Sequence, residues 1–190
     1  RGMVGAALCD NLKTIRDGKN RTRPGIHIEN IFEFTHSSTP AELEDYCAKA
    51  DFVFHLAGVN RPDDPADFQT GNVDLTARLL NCLKRQGSRA PVMLSSSVQA
   101  TLSGRFGDSA YGRSKRAGED LVFAYGADTG VKTAVYRFPN LMGHSRPNYN
   151  SAVSTFCWAV ANGQPFTVND RSTELELLYI DDLIEGMFDL

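Results

Sequence analysis

The sequence predicts an α/β protein built on a doubly wound parallel sheet and truncated at both ends. Three observations carry that prediction. Strand-sized apolar runs alternate with stretches of helical spacing, the pattern of consecutive strand–helix units. The strand predicted at 51–56 is an almost continuous apolar run, as a strand covered on both faces requires. The loops after Leu56, Leu94 and Phe138 carry the polar residues and glycines, and in such a sheet they open at one edge, the carboxyl edge, where ligands bind.

The elements follow in order. Residues 6–16 have helical spacing, and 28–34 read as a strand with β-branched and aromatic residues. Thr39-Pro40-Ala41-Glu42 starts a helix, with Thr39 as N-cap and Pro40 at the first helical position, running to about Lys49. After the strand at 51–56, Ala57-Gly58 ends the run and 60–67, with two prolines, is a loop. Val73, Leu75, Leu79, Leu80 and Leu83 place a helix over 72–86. A strand at 91–94 runs into Ser95-Ser96-Ser97, a glycine-containing loop covers 99–110, and a helix covers 111–125. A strand follows at 132–138, a polar loop at 139–150, a helix at 151–161, a short strand at 165–169 and a last helix-like run at 181–190. Asp182 is expected to cap that helix from Leu183 onward.

Composition narrows the class. With 190 residues, 42% of them hydrophobic, the chain is long enough for a sizeable core. A net charge of −3 without a basic tract argues against nucleic acid as a partner. The longest mostly apolar run, 52–59, is far below the roughly 20 residues a membrane helix needs. No basic segment precedes an apolar one in the manner of a signal peptide. Cys9, Cys47, Cys82 and Cys157 are widely spaced with no C-x-x-C pair, which reads as reduced thiols, not disulfides or zinc ligands. A cytoplasmic location follows as an expectation, and no metal site is expected in this domain. The opening Arg1-Gly2-Met3-Val4-Gly5 has no strand before it, and the sequence stops inside a helical run, so both edges read as cuts through a larger protein.

Tyr111 and Lys115 stand four apart on a predicted helix and share a face. A free tyrosine titrates near about 10 and exchanges protons poorly at neutral pH. An adjacent ammonium favours the phenolate, so the pair can act as a general acid–base. The serine triplet ends the preceding strand, and a hydroxyl there can bind a carbonyl oxygen beside the tyrosine. Its plainer role is local backbone hydrogen bonding. Gly2 and Gly5 have the spacing of the last two glycines of G-x-x-G-x-x-G, where backbone approaches a pyrophosphate at a helix start. An ordinary helix start has the same spacing. His55 reads as a hydrogen-bonded core histidine, not a metal ligand.

Taken together these residues resemble the extended short-chain dehydrogenase/reductase superfamily of Rossmann-like enzymes, which includes nucleotide-sugar epimerases, dehydratases and reductases. The resemblance covers nearly the whole chain. It implies a catalytic set of Ser97, Tyr111 and Lys115. It implies cofactor contacts from Gly2, Gly5, Leu56, Ala57, Gly58, Asn72, Ser95, Tyr111, Lys115 and Phe138. Longer strings, including Phe54-His55-Leu56-Ala57-Gly58-Val59-Asn60-Arg61-Pro62 and Arg146-Pro147-Asn148-Tyr149-Asn150-Ser151, are similar to the CapF-type family of capsular polysaccharide biosynthesis. That likeness implies a bifunctional enzyme of UDP-N-acetyl-L-fucosamine biosynthesis, with a C-terminal cupin domain outside residues 1–190. Its reductase domain uses NADPH on a UDP-4-keto-6-deoxy sugar and gives UDP-2-acetamido-2,6-dideoxy-L-talose. Substrate contacts are then expected from Arg61, Ser97, Asn140, Asn148, Tyr149 and Asn150, although Arg61 is equally well a surface arginine. A homodimer through the helices at 72–86 and 111–125 is the superfamily default.

NADPH is favoured over NADH at the end of the second predicted strand. Phe34-Thr35-His36-Ser37-Ser38 lacks the acid that NAD enzymes place on the ribose 2′-hydroxyl, and no neighbouring arginine is present in that stretch to hold a 2′-phosphate. Two other readings stand beside the reductase. An NAD-dependent epimerase or 4,6-dehydratase would regenerate its cofactor; a dehydratase needs an acid–base pair after the serine, where Val98-Gln99 stands. A non-catalytic NAD(P)-binding module commonly lacks the tyrosine that this chain keeps.

Overall fold

The structure is a computed structural model and describes residues 2–144, 147–148, 151–168 and 170–190. It divides into two compact units, 32–138 and 1–31 with 139–190. The parallel α/β architecture predicted from the sequence is the one that forms.

The unit at 32–138 holds a three-stranded parallel sheet in the order β1-β2-β3, formed by Val53–His55, Val92–Ser97 and Thr133–Phe138. The register pairs His55 with Leu94 and Ser97 with Phe138. All three strands therefore deliver their carboxyl ends to one edge. Every residue of β2 is buried, as the central strand of a covered sheet must be. Three α-helices accompany the sheet: α2 (Pro40–Lys49), α3 (Leu75–Arg85) and α4 (Ala110–Thr129). The core joins Leu43 and Cys47 of α2, Leu80, Cys82 and Leu83 of α3, Val92 and Leu94 of β2, and Val122 and Tyr125 of α4.

Local chemistry explains the helix ends. Thr39 caps α2 with Pro40 at its first position, as predicted, and Glu42 returns the bond to the Thr39 backbone at 2.6 Å. This capping box satisfies two otherwise orphaned N–H groups. The helix expected over 72–86 is entered through one wide turn, Gln69–Asp74, before regular α3 begins at Leu75. Ser109 caps α4 by accepting from the Gly112 N–H at 2.9 Å. Within the predicted loop at 99–110, two short 3₁₀ turns form, Val98–Thr101 and Gly104–Phe106.

The second unit contains α1 (Met3–Arg16), β4 (Asn140–Met142), α5 (Ala152–Ala161), β5 (Leu177–Tyr179) and α6 (Ile180–Phe188). β4 and β5 pair in parallel. Arg23 fastens the segment after α1 to α6, donating to the Glu185 carboxylate at 2.7 Å and to Asp189.

Several expectations are corrected. Residues 28–34 form no strand, because no described strand pairs with them in a ladder; Phe32 instead stacks on Tyr46 with ring centroids 5.1 Å apart, and Phe34 packs on the core. No strand forms over the described part of 165–169. The polar loop at 139–150 contains β4, which becomes a strand only because 177–179 supply its partner backbone. Helix α1 begins at Met3, three residues earlier than its apolar pattern suggests. Helix α6 starts at Ile180 with Tyr179 in the N-cap position, so Asp182 lies in the first turn and not at the cap. Among the described residues no helix is long and apolar enough to cross a membrane.

Candidate active site

The carboxyl edge of the three-stranded sheet gathers the chemically distinctive side chains of its unit. Ser97 is the last residue of β2 and is 8% exposed; its Oγ accepts from the Gln99 N–H at 3.2 Å. Tyr111 is the second residue of α4, half-buried, with its ring 6.0 Å from that of Phe68. Lys115 lies one turn further along α4 and is 7% exposed. Gly112 is what allows α4 to begin here. A Cβ at that position would lie 2.3 Å from the Gln99 carbonyl oxygen, so only glycine lets the helix start against the 98–101 turn that follows Ser97. Tyr111 and Ser97 are thereby brought near enough for the serine hydroxyl to act on the phenol.

The electrostatics differ from the sequence expectation at one point. Burial pushes the Tyr111 phenol above its ordinary value, and the Ser97 hydrogen bond opposes that rise. Desolvation, which disfavours the phenolate, is the largest influence, and the lowering expected from the Lys115 ammonium is not among those acting on the phenol. Burial also acts on Lys115, lowering it to about 8, while Glu119 pulls in the other direction.

Asn72 organises the floor of this region. Its Oδ1 accepts from the Val59 N–H at 2.7 Å, and its Nδ2 donates to the Val59 carbonyl and to Ser114 Oγ, both at 2.9 Å. The Ser114 hydroxyl in turn donates to the Tyr111 carbonyl at 2.8 Å. His55, buried in β1, bonds Thr76 Oγ1 at 2.8 Å. The single Thr76 hydroxyl proton goes to the Asn72 carbonyl at 2.6 Å, so the histidine must donate from Nε2. Burial, reinforced by the Lys115 charge, lowers His55 to about 4, and it is the neutral core histidine that the sequence suggests.

A dinucleotide's demands can be set against the groups present. Leu56, Ala57 and Gly58 follow β1, with Ala57 and Gly58 exposed. A Cβ on Gly58 would lie 2.7 Å from Asn72 Oδ1 and 3.4 Å from Lys115 Nζ. Glycine thus lets the Asn72 side chain and the Lys115 ammonium pack directly against the backbone that follows β1. Ser95 donates to the His55 carbonyl at 3.2 Å and is committed to holding β1 on β2. Phe138 ends β3 and packs edge-on against Tyr136 at 5.3 Å. Arg61 is exposed in its loop.

In the other unit, Gly2 occupies the N-cap position of α1 and Gly5 lies in its first turn, with nothing within 4 Å of a Cβ at either. Asn140 opens β4, and its side-chain amide donates to the Glu176 carbonyl at 3.4 Å. Asn148 adopts a positive φ of 58° and donates its N–H to Thr155 Oγ1. Tyr149 and Asn150 lie outside the described residues.

Sequence reasoning missed two residues. Glu119, on the Tyr111–Lys115 face of α4, is 1% exposed and paired with Arg137. The signal for it was a glutamate four residues beyond the lysine. Arg78, exposed on α3, places its guanidinium carbon 5.7 Å from the Phe34 ring centroid. The stretch at 34–38 therefore does have an arginine beside it, supplied from 44 residues away by the fold and not by its own segment.

A parallel sheet with serine, tyrosine and lysine at its carboxyl edge is the arrangement of a Rossmann-like fold. The chain belongs to the NAD dependent epimerase/dehydratase family, which it matches over residues 1–189. It is 40% identical over 184 residues to UDP-2-acetamido-2,6-beta-L-arabino-hexul-4-ose reductase from Pseudomonas aeruginosa, covering 96% of the chain and 45% of that protein. The crystal structure of the capsular polysaccharide assembling protein CapF from Staphylococcus aureus superposes with a TM-score of 0.78 at 37% identity, over 98% of the chain and 45% of that one. RMD from Pseudomonas aeruginosa, complexed with NADPH, shares the fold at a TM-score of 0.74 and 21% identity, over 98% of the chain and 70% of that one. The chain spans less than half the length of the first two.

Proposed function

We propose that the chain is the cofactor-binding part of an NADPH-dependent nucleotide-sugar 4-ketoreductase. Its substrate is a UDP-4-keto-6-deoxy-N-acetylhexosamine and its product UDP-2-acetamido-2,6-dideoxy-L-talose, a step toward UDP-N-acetyl-L-fucosamine in capsular polysaccharide biosynthesis. The observation that carries this reading is the juxtaposition of Ser97 and Tyr111 with Lys115 one turn away, in a chain 40% identical to a reductase of that class.

In this reading a bound NADPH supplies the hydride that the sugar C4 receives. Tyr111 gives its phenolic proton to the oxygen that becomes the new hydroxyl. Ser97 hydrogen-bonds the same oxygen and stabilises its developing charge. Lys115, beside Gly58, holds the nicotinamide ribose and favours the tyrosinate left after proton transfer. Burial of Tyr111 supports a donor role, because a raised pKa keeps the phenol protonated until the substrate oxygen demands the proton. Asn140, Asn148, Tyr149 and Asn150 are assigned to the sugar nucleotide, and Arg61 to its outer part. Arg78 beside Phe34 supports NADPH over NADH, since a guanidinium there suits a 2′-phosphate.

The deciding experiment incubates the full-length protein with NADPH and a set of UDP-4-keto sugars. One NADPH should be consumed for each sugar reduced. Turnover without net NADPH loss would instead identify an epimerase or dehydratase, which restores its cofactor within each cycle.

A further inference from the structure

Beneath the Tyr111–Lys115 face lies a buried ionic cluster that the proposed reaction does not use directly. Glu119 stands one turn beyond Lys115 and two beyond Tyr111, and is 1% exposed. Arg137, on β3, grips it as a fork, donating from Nε to Oε1 at 2.9 Å and from Nη2 to Oε2 at 2.7 Å. Ser96, the residue before Ser97, donates its hydroxyl to Oε1 at 2.5 Å. One carboxylate therefore joins α4 to the carboxyl ends of both β2 and β3.

An ionised carboxylate this deeply buried is costly unless it is fully partnered. Burial alone would push Glu119 up, but Arg137 and Ser96 outweigh it and hold the carboxyl below its ordinary value. A plain structural tie between α4 and the sheet could be apolar, so the charge itself calls for a reason. The charged group acting on Lys115 is Glu119 of α4, and the lysine in turn acts on the neutral His55 of β1. Arg116 and Arg137 act on Glu119 in turn.

We propose that Glu119, held by Arg137 and Ser96, is a positioning residue for the catalytic pair: it fixes α4 to the ends of β2 and β3 and places an anion one helical turn beyond Lys115. This rests on the reading of Tyr111 and Lys115 given above. The carboxylate opposes the loss of the lysine's proton that burial promotes.

The test follows the Lys115 side chain by carbon NMR in the full-length protein labelled at lysine, with the resonance assigned by Lys115→Arg. In Glu119→Gln the titration midpoint should move to lower pH by about one unit, and the alkaline limb of kcat/KM should move with it. Arg137→Lys keeps Glu119 ionised and should leave the midpoint near that of the parent. If Glu119→Gln does not fold, Glu119→Gln/Arg137→Met removes both charges of the pair and should shift the midpoint in the same direction. Equal midpoints in the parent and in the variants lacking the carboxylate would overturn the proposal. A parent that reduces no UDP-4-keto sugar would instead overturn the functional reading, and the lysine titration would still decide the role of Glu119.

Discussion

The Asn72 side chain donates to Ser114 Oγ at 2.9 Å across 42 residues of sequence. This bond ties the wide turn ahead of α3 to the fifth residue of α4, three residues after the proposed proton donor. Its other amide hydrogen is on the Val59 carbonyl and its oxygen on the Val59 N–H, so both donors of Asn72 are committed.

Replacing Asn72 by Asp keeps the size and the acceptor but removes both donors. A carboxylate oxygen would then face the Val59 carbonyl. The loss is expected to be about 2–4 kcal/mol, since buried partners are left unsatisfied. A fall in the urea midpoint at unchanged slope would check it.

Gly112→Ala puts a methyl group 2.3 Å from the Gln99 carbonyl. Backbone must move on one side or the other, at a cost of about 1–3 kcal/mol. Because the displaced elements carry Tyr111 and Ser97, kcat should fall while the affinity for NADPH changes little. Stopped-flow turnover and cofactor titration on one preparation separate the two effects.

Tyr111→Phe removes the proton donor and almost nothing else. A reduction of about 10²–10⁴-fold in kcat is expected, with the NADPH dissociation constant within about twofold of the parent. Retained turnover would transfer the proton to another group.

Lys115 carries a cost in stability as well as a role. Its pKa of about 8 in the fold lies below its ordinary 10.5, mainly through burial. In the unfolded chain it binds its proton up to about 10.4. Between these values the unfolded state holds more protons, so this group makes stability rise with pH from about 8 to about 10.5. Below pH 8 the buried ammonium is a standing penalty. Lys115→Met is therefore expected to gain roughly 1–3 kcal/mol at pH 7, to lose that advantage by about pH 10.5, and to be inactive. Thermal melts across that pH range provide the check.

Arg78→Gln should weaken NADPH binding about tenfold or more and leave NADH binding nearly unchanged, because only the 2′-phosphate offers the guanidinium a charged partner. Calorimetric titration with NADP⁺ and NAD⁺ compares the two directly. Equal losses for both would remove Arg78 from the 2′-phosphate.

How much of this was legible in the sequence depends on the range of the interaction. Local signals translated directly. The Thr39–Pro40 start of α2, the apolar period of α3, the buried run of β2 and the four-residue spacing of Tyr111 and Lys115 all depend on neighbours within a turn or a strand. Residues 28–34 have the β-branched and aromatic composition of a strand but no ladder partner, and composition cannot supply one. Conversely, 140–142 fall in a stretch read as a polar loop and 177–179 in one given no element, yet they pair because each presents free backbone to the other.

The sequence by itself determined the fold class, the order of most elements and the Ser97–Tyr111–Lys115 set, since periodicity and short spacing are written along the chain. Only the tertiary structure decided what surrounds that set. It placed the Glu119 carboxylate between Arg137 and Ser96, Arg78 against Phe34 and the Asn72 amide on Ser114. It also reversed the expected direction for the tyrosine, because burial is a property of the packed molecule. A proton's energy in this site depends on dielectric and on charges brought from distant segments, and neither exists until the chain has folded.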